Sequence, residues 1–132
     1  TMANEMTITG TNETIVTSLT LSTIEDKKKM FNAMNVTDFS LSDHLDEPIH
    51  VVDYLIHDCE MTDDNGEMQE TKRLVIFDKD GKTYSTVSNS AYDSFGKIIT
   101  IFGEPSEWNG EIAIRATERK SRKYKFISLE VC

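Results

Sequence analysis

What the chain has little of narrows its chemistry first. Two cysteines in 132 residues, Cys59 and Cys132, are too few and too far apart for a disulfide framework or a cysteine metal cluster. No apolar run approaches the length of a membrane span, and the start lacks the basic-then-apolar pattern of a secretion signal. The expectation is a protein of the cytoplasm, with free thiols and no membrane partner. Thr1, ahead of Met2, is set aside in reading the fold. No glycine-rich phosphate loop and no activated Ser or Cys nucleophile is recognisable. His44, His50, His57 and Cys59 invite a metal, but only His57 and Cys59 share a strand face, and no spacing fits zinc. The two acidic turns fail as calcium loops. Setting Gly66 or Gly81 at the invariant glycine puts Met61 or Ile76 at the first ligand position and Lys72 or Val87 at the last. Neither an enzyme nor a cofactor is expected.

Positive charge is also missing from a long stretch. Between Met30 and Thr71 there is no Lys or Arg, while acids recur from Asp38 to Glu70. The other end reverses this, with Arg115, Arg119, Lys120, Arg122, Lys123 and Lys125 close together. A formal charge of −9 argues against a polyanionic partner only if the charges mix, and these are segregated into an acidic and a basic surface.

The centre of the chain is Arg73 to Ser88. Leu74-Val75-Ile76-Phe77 is a strand-forming run, Asp80-Gly81 supplies a tight turn, and Thr83 to Val87 restarts a strand. With Leu74, Ile76 and Val87 inward, alternation turns Arg73, Val75, Phe77, Tyr84 and Thr86 outward. Ahead of it, Thr7 to Ser22 reads as a threonine-rich leader, either partly disordered or an arm pairing with a neighbouring subunit's sheet edge. Ser22-Thr23-Ile24-Glu25 has the form of a capping box, opening a short helix through Lys27, Lys28 and Lys29 to Asn35, the lysines on a solvated face. A loop with a turn of helix follows to Glu47. A long strand from Ile49 to Ile56, a turn at Asp63 to Gly66 and a further strand make a long hairpin. After the central hairpin, Ala91, Tyr92, Phe95, Ile98, Ile99 and Phe102 trace one amphipathic helix capped at Ser88 to Ser90 and stopped at Gly103. Two strands end the chain, around Ile112 to Thr117 and Tyr124 to Val131, joined by the basic turn.

Strand, strand, strand, helix, strand, strand is the order of a five-stranded OB-fold barrel with its helix between strands 3 and 4. The expectation is therefore a mainly β protein, with residues 1–47 as N-terminal arm and short helix and 48–132 as the OB-fold domain. Rings and cations sharing an outer face suit single-stranded nucleic acid, whose bases stack on aromatics while Arg and Lys meet phosphates. The candidate contacts are Arg73, Phe77, Tyr84, Arg115, Arg119, Lys120, Arg122, Lys123, Tyr124 and Phe126. The alternative for Tyr124 and Phe126 is packing under the N-terminal helix or the Trp108 loop, and Trp108 is expected to plug the barrel end rather than stack a base. No base-reading constellation is present, so binding is expected to be independent of sequence.

The run LVIFDKDGKTYSTVSNSAYDSFGKIITIFGEPSEW, the ending KYKFISLEV and the earlier MFNAMN and SDHLDEPIHVVD together resemble phage and plasmid single-stranded DNA-binding proteins over Lys29 to Val131. Asp78-Lys79-Asp80-Gly81 and Ile101-Phe102-Gly103-Glu104-Pro105 are the most specific pieces. The resemblance implies an OB-fold protein that coats and protects single-stranded DNA in phage or plasmid replication, recombination or transfer, inside a bacterial host cell. RNA is a second candidate ligand, and self-association through the N-terminal arm a further expectation. No contact residue is carried over from the family. Because the last residues, Val131-Cys132, are read as the end of a strand, enzyme recruitment through an acidic tail of the kind cellular single-strand binders use is not expected. The rival reading is an acidic protein-interaction module on an OB scaffold, in which the Asp38 to Glu70 surface mimics DNA or binds a basic replication protein.

Overall fold

The computed structural model describes residues 4–7, 9–10, 14–62 and 64–132. Among the described residues eight strands form one open, mainly antiparallel sheet, with two α-helices packed on it. The strands are β1 (Asn4–Thr7), β2 (Thr14–Thr17), β3 (Phe39–Ser40), β4 (Pro48–Thr62), β5 (Met68–Asp78), β6 (Thr83–Thr86), β7 (Ile112–Lys120) and β8 (Lys125–Val131). The helices are α1 (Ile24–Asn35) and α2 (Asn89–Phe102).

Local chemistry sets the element ends. Thr23, one residue later than the capping box suggested, caps α1 by accepting from the Asp26 amide at 3.1 Å. Ser88 caps α2 through the Ala91 amide at 3.2 Å, and Gly103, at φ 82°, takes the left-handed conformation that stops it. The β5–β6 turn is closed by Asp78, whose carboxylate accepts from the amides of Asp80 and Lys82 while Gly81 sits at φ 82°.

From β4 onward the element order is the expected one, and β4 pairs with β5 and β7, β5 with β6, and β7 with β8. The five strands do not close into a barrel. Closure would need β8 on the free edge of β6, but β3 already occupies that edge in parallel pairing, Phe39 opposite Tyr84 and Ser40 opposite Ser85. The short 3-10 turn after β3 inserts Leu41, fully buried, into the core beneath the open seam.

The threonine-rich segment is folded where it is described. β2 pairs with the distal half of β4, Ile15 opposite His57 and Thr17 opposite Leu55, and β1 pairs with β2. Ile15 and Leu19 are buried, Thr17 Oγ1 donates to the Tyr54 carbonyl at 2.8 Å, and the Thr14 amide donates to Asp58 at 2.9 Å. The reason is an edge. β7 covers only Pro48–Val51 of β4, and β2 satisfies backbone groups further along. Thr11, also part of the expected leader, lies outside the described residues. One sheet thus runs through both segments, 1–47 and 48–132.

Two apolar layers sandwich β4 and β5. On one face Leu74 and Ile76 meet Tyr54, Ile114 and Ala91, Phe95 and Ile98 of α2. On the other, Val75 and Phe77 meet Leu55, Ile15, Leu19 and Ala33 of α1. In β5 the alternation is as expected, but the face expected to be open is covered.

Under the end of α1, Arg73 does what a last-turn cation would do. Its Nη1 donates to the Ala33 carbonyl at 2.7 Å, and α1 has no basic residue of its own there. The same Nη1 lies 3.1 Å from His57 Nε2, while His57 Nδ1 faces the Asp58 carbonyl at 3.2 Å. A carbonyl only accepts, so Nδ1 carries the proton and Nε2 is the bare acceptor for Arg73. His57 is therefore a neutral ring, 6% exposed, and burial, with the Arg73 cation beside it, holds its pKa below the ordinary 6.5. Just below pH 6.5 the unfolded chain binds a proton here that the folded chain refuses, so stability falls as pH drops through this range. The slope for one proton is at most about 1.4 kcal/mol per pH unit. Urea unfolding between pH 7.5 and 5.5 should show this loss, and His57→Gln should flatten it; an unchanged slope would contradict the neutral assignment.

Candidate nucleic-acid interface

Where β6 and β8 fail to meet, a cleft of about 470 Å³ opens. Its walls are Ser40 and Ser42 before and within the 3-10 turn, Thr62, Gln69 and Thr71 of the β4–β5 hairpin, Thr86 to Asn89 between β6 and α2, and Ile127 of β8. Among the described residues no charged side chain lines it: eight of the ten lining residues are Ser, Thr, Asn or Gln, with Val87 and Ile127 beside them, and carbon atoms make up most of the exposed wall. These residues offered no signal in the sequence, where each reads as an ordinary strand or cap residue. Only the pairing brings them together.

Two hairpins of opposite charge flank the cleft. The β4–β5 hairpin places Glu60 directly opposite Glu70, with Asp64 and Glu67 at its turn. The β7–β8 hairpin places Lys120 opposite Lys125 and Arg119 opposite Phe126, with Arg122 and Lys123 at the turn. That turn is held by Ser121, whose amide donates to the Tyr124 carbonyl at 2.9 Å and whose hydroxyl accepts from the Tyr124 amide at 3.3 Å. Lys125 lies 3.8 Å from Glu118. Among the described residues Arg119, Lys120, Arg122 and Lys123 have no ion-pair partner, and all are exposed. Like charges directly opposite one another destabilise a hairpin. A polyanion along it relieves that repulsion.

Tyr124 stands beside these cations, 66% exposed, its ring 6.3 Å from that of half-buried Phe126 at a 60° tilt. The alternative of a packed core position is thereby excluded for Tyr124.

A family model for phage single-stranded DNA-binding proteins matches residues 9–132. The chain belongs to the phi29-type phage single-stranded DNA-binding protein family. It matches no curated protein and no solved structure.

For a single-stranded DNA-binding protein, the ten residues expected to contact DNA divide in two. Six lie on the β7–β8 hairpin: Arg119, Tyr124 and Phe126 share one face, Lys120 is on the other, and Arg122 and Lys123 are at the turn. The other four are engaged elsewhere. Phe77 is fully buried, because α1 and β2 cover the face it shares with Val75. Arg73 is spent on the end of α1 and on His57. Tyr84 lies opposite Ile76, so it shares that residue's face instead of opposing it as expected. There it packs with Phe39 and His44, ring centroids 5.2 and 5.5 Å away, and burial followed by the nearby Asp78 raises its pKa. Arg115 is neutralised across the strands by Glu130, with Nε and Nη2 donating to one carboxylate oxygen at 3.2 and 3.1 Å.

The candidate metal residues disperse as well. His44 Nδ1 meets Glu47 at 3.1 Å and His50 Nδ1 meets Glu111 at 3.5 Å, and among the described residues no three His, Cys, Asp or Glu side chains converge on a metal site. Trp108 is half-buried against the core and donates Nε1–H to the Gly103 carbonyl at 2.8 Å, so its ring packs with the core, with no closed barrel to plug.

Proposed function

We propose that this chain coats and protects single-stranded DNA without regard to sequence during phage DNA replication or recombination, in the cytoplasm of a bacterial host, and that it acts by binding alone. The observation that carries this reading is the β7–β8 hairpin, where four cations without carboxylate partners sit beside an exposed tyrosine ring. The strand runs through the neutral cleft with its bases toward hydroxyls and carboxamides and its phosphates along the basic hairpin. An uncharged cleft suits bases and a cationic hairpin on one side of it suits phosphates, and neither reads a particular base. The β4 to β8 pairing supports reading this half as an OB-type barrel opened at one seam, with the cleft between its first and last hairpin loops, where OB-folds take oligonucleotides. The outer edge of β1 is where a neighbouring copy could extend the sheet along the strand.

The test is a fluorescence-anisotropy titration with labelled oligo-dT of several lengths, against duplex of equal length, at low and moderate salt. Tight, salt-sensitive binding to single strands and weaker binding to duplex is expected. Tyr124→Ala should weaken single-strand binding by about fivefold or more, the worth of one stacked base, and leave the unfolding midpoint unchanged because the ring is exposed. The acidic β4–β5 tip favours one rival, a docking module for a basic replication protein. Absence of DNA binding at low salt, where attraction is least screened, would select it.

A further inference from the structure

The solvent side of α1 carries an aromatic that packing does not explain. Ala33, 2% exposed, marks the buried face of this helix, and Lys29 also turns inward, its Nζ lying 5.2 Å from the buried Phe77 ring. On the opposite face, at helical spacing, stand Ile24, Lys27, Lys28 and Phe31. Phe31 is 68% exposed and Ile24 61%. Lys27 and Lys28 lie one turn before Phe31, on either side of it, and neither has an ion-pair partner among the described residues.

We propose that this face of α1 is a second contact for single-stranded DNA, with Phe31 stacking a base and Lys27 and Lys28 meeting phosphates. This rests on the DNA-coating reading above but uses a different surface. An exposed ring bracketed by cations has the same chemistry as the β7–β8 hairpin and fits the same ligand. The chain also ties the end of α1 close to the cleft. Val36, which caps the end of α1, is only four residues before Ser40 of the cleft wall, at most about 14 Å of chain.

The experiment is the anisotropy titration with oligo-dT of increasing length, using the full chain, Phe31→Ala, Phe31→Trp and the Lys27→Ala/Lys28→Ala pair. For long oligonucleotides Phe31→Ala should lose about fivefold or more in affinity. Phe31→Trp should retain affinity and be quenched by DNA. The lysine pair should lower the salt slope by about 1.4, two phosphates' worth. The shortest oligonucleotide that binds should be unaffected by any of them. The proposal falls if all variants bind every length like the full chain while the Arg119, Lys120, Arg122 and Lys123 alanine variant is weakened, a pattern that leaves the hairpin reading standing. No effect from that hairpin variant would overturn the underlying reading instead. Equal loss at every length would place Phe31 in the primary site, and a lower sedimenting mass of Phe31→Ala alone, with per-site affinity intact, would assign the face to a second copy. Either result overturns the second contact.

Discussion

Replacing Arg119, Lys120, Arg122 and Lys123 together by alanine will weaken single-strand binding and make it much less sensitive to salt. If each cation meets one phosphate, the loss of four removes about 2.8 from the slope of log affinity against log salt, at about 0.7 per contact on single strands. Between 50 and 200 mM salt the unmodified protein should then lose about fiftyfold more affinity than the variant. Anisotropy titrations across that range read both quantities. All four side chains are exposed and without carboxylate partners among the described residues, so the unfolding midpoint should hold or rise as like-charge repulsion in the hairpin is relieved. Unchanged affinity and slope would remove the hairpin from the DNA path.

Phe77→Ala should have the opposite signature, a large loss of stability without a specific loss of binding. The ring is fully buried against Leu55, Val75 and Ala33, with Ile15 and Leu19 from the N-terminal segment closing the cluster. Deleting a core phenylalanine side chain costs about 3–5 kcal/mol, a large share of the 5–15 kcal/mol typical of a whole domain. The urea midpoint should fall by about 1 M or more, given slopes of about 1–3 kcal/mol per M. Because this variant risks unfolding outright, Phe77→Leu is its control: it keeps most of the buried volume, and its affinity for oligo-dT should match that of the unmodified protein. A folded Phe77→Leu that loses binding would return Phe77 to the DNA surface. The contrast with Tyr124 is informative, since alternation alone had placed both rings outward.

The sequence by itself determined what short-range chemistry controls. A helix start at Ser22-Thr23, a cap at Ser88, a stop at Gly103, the Asp78 to Gly81 turn and the order of the last five strands and second helix follow from hydrogen-bonding side chains, glycine's access to positive φ, and hydrophobic period. The basic tip with Tyr124 beside it was legible for the same reason, since a hairpin turn exposes whatever it carries. Tertiary structure alone decided which faces and edges stay open. Alternation states that Leu74 and Phe77 point opposite ways, not that α1 and β2, brought from residues 15–33, cover the second face and bury Phe77. Pairing register put Tyr84 opposite Ile76, and the two residues of β3, on the edge of β6, kept the barrel from closing. The hydroxyl-lined cleft exists because of that single pairing. Burial and edge-filling are long-range competitions among segments distant in the chain, settled by the apolar area and backbone hydrogen bonds each can satisfy, and no local pattern contains their outcome.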